Sequence, residues 1–295
     1  MPIWNNYHLA VSLNDALKVL ETADGSALCV AGGTDLLLDL QQGRHAPVDT
    51  LVDVTSVPEA SALEVRGEQL FVGACLPLSQ VVKSELLRKN AQALTEAAGL
   101  IGGPQVRNTA TLGGNVAHAL PAADGTIALV ALAAEVEIAS LVDGKVLLRR
   151  APIQDIFVGP GRSSLRKRSE LLTGFYMGLK KSSEGSVHRR IMRPQGVAIA
   201  ILNMSVWLER QNDLIGAIRV ALGPAGPTPL RARQTEEFLI GKEPRLEVLQ
   251  EAEEILLSEA VFRTSPHRAT AEYRKHMAGI LLTETVQTAW DRSKF

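Results

Sequence analysis

The chain has 295 residues, enough to bury two substantial hydrophobic cores, and its 46% apolar and 21% charged content is that of an ordinary globular protein. A formal net charge of −1 leaves no surplus of Lys and Arg to neutralise a phosphate backbone, which excludes an electrostatic reader of nucleic acid. Two cysteines are too few for a disulfide framework or an iron–sulfur cluster, and no apolar run reaches the roughly 18 residues of a membrane span.

Cys29 and Cys75 lie in the apolar runs ALCVA and FVGAC and read as buried small hydrophobes. The segment MPIWNNYHLA lacks a basic region followed by an apolar core, so no signal peptide is expected and the chain is expected to be cytoplasmic.

In chain order, residues 14–21 are predicted as a helix, capped by Asn14 or Asp15, with Ala16, Leu17 and Leu20 on one face. Residues 27–30 form a brief apolar strand ending in Gly32-Gly33, and Thr34-Asp35 then opens a helix through Leu40 that Gly43 closes. A strand is expected at 51–54 and a hairpin at 63–72 around Gly67. Helical spacing runs over 78–99. A Gly/Pro/Asn-rich stretch fills 102–115, and an Ala/Leu-rich helix follows at 124–134.

Residues 135–141 and 146–148 form a hairpin through Asp143-Gly144. The polar segments 160–169 and 180–190 are read as linkers. Strands at 197–208 and 214–222 flank Gln211-Asn212-Asp213, and helices are predicted at 231–240, 246–260 and 268–289. In the last helix Tyr273, Met277, Ile280 and Leu281 are read as a core-facing stripe. Strands followed by helices, rather than alternating βα units, predict an α+β fold in both halves.

Two constellations carry chemistry. In Ala31-Gly32-Gly33-Thr34-Asp35-Leu36 the paired glycines let the main chain approach a ligand, and the free N–H groups of a helix start favour a phosphate. Alone, Gly-Gly before a capped helix is more often a tight turn, and the G-x-G-x-x-G spacing with a βαβ context is absent. The second runs from Arg107 through Gly113-Gly114-Asn115 to Pro121 and Asp124, with Thr109, Thr111 and Asn115 as flanking donors. Asp124 reads first as a helix cap and second as an acceptor for ribose or ribityl hydroxyls. Together the two loops describe a diphosphate clamp built of neutral N–H donors, which suits a chain without excess positive charge.

AGGTDLL at 31–37 and RNTATLGGNVAHALPAAD at 107–124 resemble the flavin loops of the FAD-binding subunits of molybdenum hydroxylases, the family of the carbon monoxide dehydrogenase medium subunit and the xanthine dehydrogenase flavin subunit. FVGACLPLSQV, the 157–175 stretch, RVALGPAGPTPLRA and AEYRKHMAGILL fit in the same order, so the resemblance spans the chain. It implies a two-part FAD-binding domain of the vanillyl-alcohol-oxidase type over 1–178, divided at 55/56, and a smaller α+β domain over 187–291.

By resemblance, Val30, Ala31, Gly32, Gly33, Thr34, Asp35 and Leu36 hold the pyrophosphate and ribityl groups. The second loop contributes Ile101, Ala110, Thr111, Gly113, Gly114 and Asn115, Asp124 reaches the ribityl or ribose, and Leu172 lies near the isoalloxazine. A family Lys before the second domain's long strand is matched nearest by Arg189 or Arg190, and Leu120 stands where the family commonly has Ser. The inserted iron–sulfur site of relatives that reduce aromatic thioesters is not expected here, since only two cysteines are present.

The function so implied is electron transfer from [2Fe–2S] clusters of a small partner subunit, through FAD, to NAD, a quinone or another acceptor. A large subunit would hold the molybdenum cofactor, and the complex would be a dimer of heterotrimers. No metal site and no general base are expected in this chain, and His45, His118 and His188 are read as surface or loop residues. Two alternatives stay open: a free-standing FAD-dependent oxidase or reductase, and a scaffold that has lost its flavin.

Overall fold

A computed structural model describes residues 2–193 and 199–294. The first lobe consists of β1 (Trp4–Leu9), α1 (Leu13–Thr22), β2 (Ala27–Val30), α2 (Leu36–Gln41) and β3 (Val48–Asp53). Its sheet has the order β1-β3-β2 with both pairings parallel, so the βαβ context absent from the sequence reading is present in the fold. Ser12, rather than Asn14 or Asp15, caps α1: its Oγ accepts from the Asp15 N–H at 3.1 Å, and Leu13, Ala16, Leu17 and Leu20 are buried.

The second lobe begins with β4 (Leu63–Arg66) and β5 (Gln69–Gly73). The predicted helical run over 78–99 is divided into α3 (Leu78–Lys83), α4 (Glu85–Asn90) and α5 (Gln92–Leu100). Ser84 ends α3 in an extended conformation and caps α4 by accepting from the Leu87 N–H. The glycine-rich stretch also holds two short helices, α6 (Pro104–Thr109) and α7 (Leu112–Ala117), before α8 (Asp124–Ala131). Then come β6 (Glu135–Val142), β7 (Lys145–Pro152), a small ribbon of β8 (Phe157–Gly159) and β9 (Arg162–Ser163), and β10 (Glu170–Gly178).

An antiparallel sheet β4-β5-β10-β6-β7 backs these helices. Its central strand, β10, is bulged between Leu172 and Gly174. One core unites Leu70, Val72 and Phe175 of the sheet with Leu94, Leu112, Ile127 and Leu129 of the helices.

The third unit opens with β11 (Glu184–Ile191), which occupies most of the segment read as a linker over 180–190 and begins ahead of the expected boundary at 187. Its polar Glu184, Ser186 and His188 are buried, which is why polarity misleads there. β12 (Leu202–Gln211), β13 (Leu214–Gly223) and β14 (Leu230–Arg231) complete the antiparallel sheet β11-β12-β13-β14. The expected strand start at Val197 lies outside the described residues.

Helices α9 (Arg233–Leu239), α10 (Leu246–Glu259) and α11 (Ala271–Arg292) belong to this unit, and the core runs through Val206, Val220, Leu249, Leu256, Leu282 and Val286. The stripe expected on α11 is corrected: Tyr273 and Ile280 are exposed, and the buried face is Ala278, Leu281, Leu282, Thr285, Val286 and Ala289. The true stripe alternates small and branched residues, which the Tyr/Met/Ile pattern obscured.

An apolar core shared by α1, β3, Ala139 and Leu171 joins the lobes, and two polar contacts add to it. Arg168, in the turn before β10, donates to the main-chain oxygens of Leu20, Glu21, Ala23 and Gly25 at the end of α1 and the turn after it. The Leu20 and Glu21 oxygens are among those that a helix end leaves unsatisfied, at the negative end of its dipole. The thiol of Cys75 donates to the Val54 oxygen, and burial pushes it up to about 12.

Candidate functional site

The first glycine loop leaves the carboxyl end of β2, the edge of a parallel sheet at which ligands are ordinarily received. Gly33 takes φ +66°, over the side chain of Leu37, and its carbonyl accepts from the Leu37 N–H at 2.9 Å. Asp35 stands at the N-cap position of α2 without making a cap hydrogen bond. Among the described residues, the N–H groups of Gly32, Gly33, Thr34 and Asp35 donate to no protein acceptor. The segment is half-buried to exposed, so those donors form an open row.

The second loop is built differently. Leu112 N–H donates to Leu76 and Gly113 N–H to Ala74, at 3.2 and 2.7 Å, while Gly114 and Asn115 N–H turn back to Thr111 as an N-cap. The N–H groups of Leu112, Gly113, Gly114 and Asn115 are therefore spent on the protein, while that of Thr111 has no acceptor among the described residues, so the first loop offers a row of main-chain donors and the second fewer. The second supplies shape and side chains. Gly113 is buried against Ala74, where an added Cβ would lie 2.6 Å from the Ala74 oxygen, whereas Gly114 is exposed. The bulge in β10 fixes this seat, because the Thr173 carbonyl accepts from Ala74 N–H at 2.9 Å and Ala74 in turn accepts from Gly113.

The loops meet at Gly32, whose Cβ position would lie 2.1 Å from the Thr109 oxygen and 2.8 Å from the Ala110 α-carbon. Ala110 is buried in the second-lobe core, and Ile101 and Leu172, both half-buried, pack against the same cluster. Gly125, at the start of α8, faces the Asn115 side-chain oxygen Oδ1, which is buried without a partner. Val30, Ala31, Leu36 and Thr111 accompany these residues on the two loops.

Asp124 lies beyond the second loop, in the first turn of α8, and does not cap it. It is 5% exposed, and its partners come from the third unit. Asn203 Nδ2 donates to Oδ1 at 2.7 Å, His188 Nε2 stands 3.2 Å from the same oxygen, and Arg190 donates to Oδ2 at 2.8 Å. Burial alone raises the Asp124 carboxyl, but the hydrogen bond from His188, the charge of Arg190 and the Asn203 amide outweigh it and hold the group below the ordinary carboxylate range.

Strand alternation decides which of the neighbouring residues share this site. His188 and Arg190 face Asp124, while the Arg189 side chain bonds Glu96 and Glu284. The reading of His188 as a surface or loop residue is corrected: it is 1% exposed, in a strand, with Nδ1 2.7 Å from Ser205 Oγ. His188, Asn203 and Ser205 were missed, and the V-H-R-R-I alternation of β11 was the signal available for the first of them. Among the described residues no group of His, Cys, Asp and Glu is placed to hold a metal, and no helix is long and apolar enough to cross a membrane.

The family pattern described as the FAD binding domain in molybdopterin dehydrogenase matches residues 4–177, and that of the CO dehydrogenase flavoprotein C-terminal domain matches 188–289. The chain is 29% identical to the xanthine dehydrogenase FAD-binding subunit of Escherichia coli, over 96% of this chain and 95% of that one. It is 28% identical to the carbon monoxide dehydrogenase medium chain of Hydrogenophaga pseudoflava, over 97% of each. A solved structure of carbon monoxide dehydrogenase from Hydrogenophaga pseudoflava, lacking the Mo-pyranopterin moiety of its cofactor, superposes with TM-score 0.91 at 26% identity and 99% coverage of both chains.

Proposed function

The chain belongs to the family of FAD-binding subunits of molybdenum hydroxylases, and from that premise we propose that it carries electrons from the [2Fe–2S] clusters of a small partner subunit to NAD or another acceptor. In this reading a large partner subunit holds the molybdenum cofactor and oxidises the substrate. The complex is a cytoplasmic dimer of such heterotrimers.

The observation that carries the reading is the open row of N–H groups from Gly32 to Asp35, set against the main chain at Thr109 and Ala110. A diphosphate needs such donors, and a helix start adds the favourable end of its dipole. These residues fit FAD. Val30 to Leu36 would hold its pyrophosphate and ribityl groups, and Thr111, Gly113, Gly114 and Asn115 would shape the facing wall. Ile101, Ala110 and Leu172 offer apolar surface suited to the isoalloxazine. Asp124 would serve the ribityl or ribose, with Arg190 rather than Arg189 as the adjacent cation. The domain division falls between residues 178 and 184 in this reading.

When bound, the flavin supplies the redox chemistry, and the protein contributes position and electrostatics. The amides of the first loop offset negative charge without adding a titratable group. The Asp124 cluster keeps its own charges paired. No residue of this chain is assigned a proton transfer or a covalent step.

The test is purification of the complex from its native source. A stoichiometric flavin, co-purifying small and large chains, and a visible spectrum with [2Fe–2S] bands are expected. Steady oxidation of an organic substrate by the isolated chain would replace this reading with that of a free-standing oxidase. A colourless chain that takes up no FAD would exclude both.

A further inference from the structure

The three groups behind Asp124 are buried more deeply than hydrogen bonding of one carboxylate requires: His188 is 1% exposed, and Asn203 and Ser205 are fully buried. The Asn203 amide is oriented by two acceptors, Asp124 Oδ1 and the Ala122 carbonyl at 3.1 Å, so its Nδ2 position is unambiguous. Ser205 Oγ lies 2.7 Å from His188 Nδ1. A hydroxyl donating to Nδ1 leaves the ring proton on Nε2, which then donates to Asp124. The other tautomer would turn an Nε2 lone pair toward a carboxylate oxygen and repel it. On the far side of the carboxylate, Arg190 keeps one buried donor, Nε, without any protein acceptor. A buried unpaired guanidinium nitrogen costs free energy unless a ligand oxygen meets it.

We propose that His188 is a positioning residue of the cofactor site: gripped by Ser205 at Nδ1, it donates from Nε2 to Asp124 and fixes that carboxylate, so that Arg190 is held with its Nε–H free for an acceptor oxygen of bound FAD. This rests on the reading of the two loops as an FAD site. It makes the third unit part of that site, since all the groups that orient Asp124 come from β11 and β12. The relation is that of a histidine oriented through one nitrogen so that the other can act, as in the outer shell of metal sites.

The test uses the full chain and compares His188→Gln, His188→Asn and Ser205→Ala for FAD dissociation constant, flavin midpoint potential and thermal unfolding without FAD. The Gln amide can reach the position of Nε2 and keep the donor to Asp124, whereas the Asn amide reaches only the position of Nδ1. The expected result is near-normal FAD affinity and potential in His188→Gln. His188→Asn should bind FAD about tenfold or more weakly, with a shifted potential, as loss of a hydrogen bond to a charged group implies. Ser205→Ala should fall between them. The unfolding curves show whether His188→Asn still folds. If it does not, the comparison of His188→Gln and Ser205→Ala with the wild type decides. Equal affinity and potential in all variants that fold, with wild-type FAD uptake intact, overturns this proposal alone. Absence of FAD uptake by the wild type overturns it together with the FAD reading.

Discussion

The α-carbon of Gly32 is packed so closely on the main chain at Thr109 that a methyl group on it would lie 2.1 Å from the Thr109 carbonyl oxygen. One residue belongs to the parallel lobe and the other to the antiparallel lobe, so this contact sets how near the two loops stand. Backbone cannot yield as a flexible side chain can. Gly32→Ala is therefore expected to push the lobes apart, lower stability by about 3 kcal/mol and release the flavin. Chemical denaturation and flavin content of the purified variant check both parts, and a fully loaded, equally stable variant would refute the contact's importance.

The paired glycines of the second loop are predicted to behave differently from one another. Gly113→Ala forces a methyl group against Ala74 and should cost about 2 kcal/mol even without flavin. A Cβ at Gly114 meets only the Thr111 hydroxyl, at 3.2 Å, and the residue is exposed, so the Gly114→Val apoprotein should fold normally while FAD retention is abolished. Unfolding temperature and FAD titration separate the two effects. Normal flavin content in Gly114→Val would remove this loop from the site.

Asp124 gives the assembly a pH dependence of definite sign. Its folded-state pKa is held below the unfolded value of 3.8, so its contribution is complete above about pH 4 and is lost as pH falls through the lower folded value. Asp124→Asn should lower stability at neutral pH by about 3 kcal/mol, because it leaves Arg190 buried without its anion. The gap to the wild type should close in acid. Denaturation at pH 7 and at pH 3 measures it, and a gap that widens in acid would contradict the assignment.

Arg168 offers a gentler perturbation. It is exposed, yet it donates to four carbonyls at and just beyond the end of α1 from a turn of the other lobe. Arg168→Ala is expected to cost about 1 kcal/mol, discounted for solvent, and to speed FAD dissociation several-fold. Stopped-flow release of FAD reads the second quantity. An unchanged release rate would mean the lobes are fixed without it.

The glycine loops were legible because their chemistry is local: Gly32-Gly33 and Gly113-Gly114 declare close approach without knowledge of the rest of the chain. The helices of the third unit were legible for the same reason. What escaped was set by partners distant in sequence. β1 has a mostly exposed face and reads as a strand only once β3 pairs with it in parallel. β10 hides behind a run of basic residues and a mid-strand glycine, and Gly174 is required there because the Phe71 ring fills the space of its side chain. The segment 180–190 looked like a linker because its strand buries polar groups; those of His188 are satisfied by Asp124, Glu96 and Ser205, and the Ser186 hydroxyl accepts from the Ala93 N–H, all on other elements. A polar residue gives no local sign that its partner lies on another domain.

The separation of Asp124 from its partners also bears on how the protein is made. His188 and Asn203 lie 64 and 79 positions further along the chain. A ribosome that has completed both glycine loops has not yet supplied the groups that orient this carboxylate. The Asp124 cluster is therefore completed only when the last sheet closes over α8.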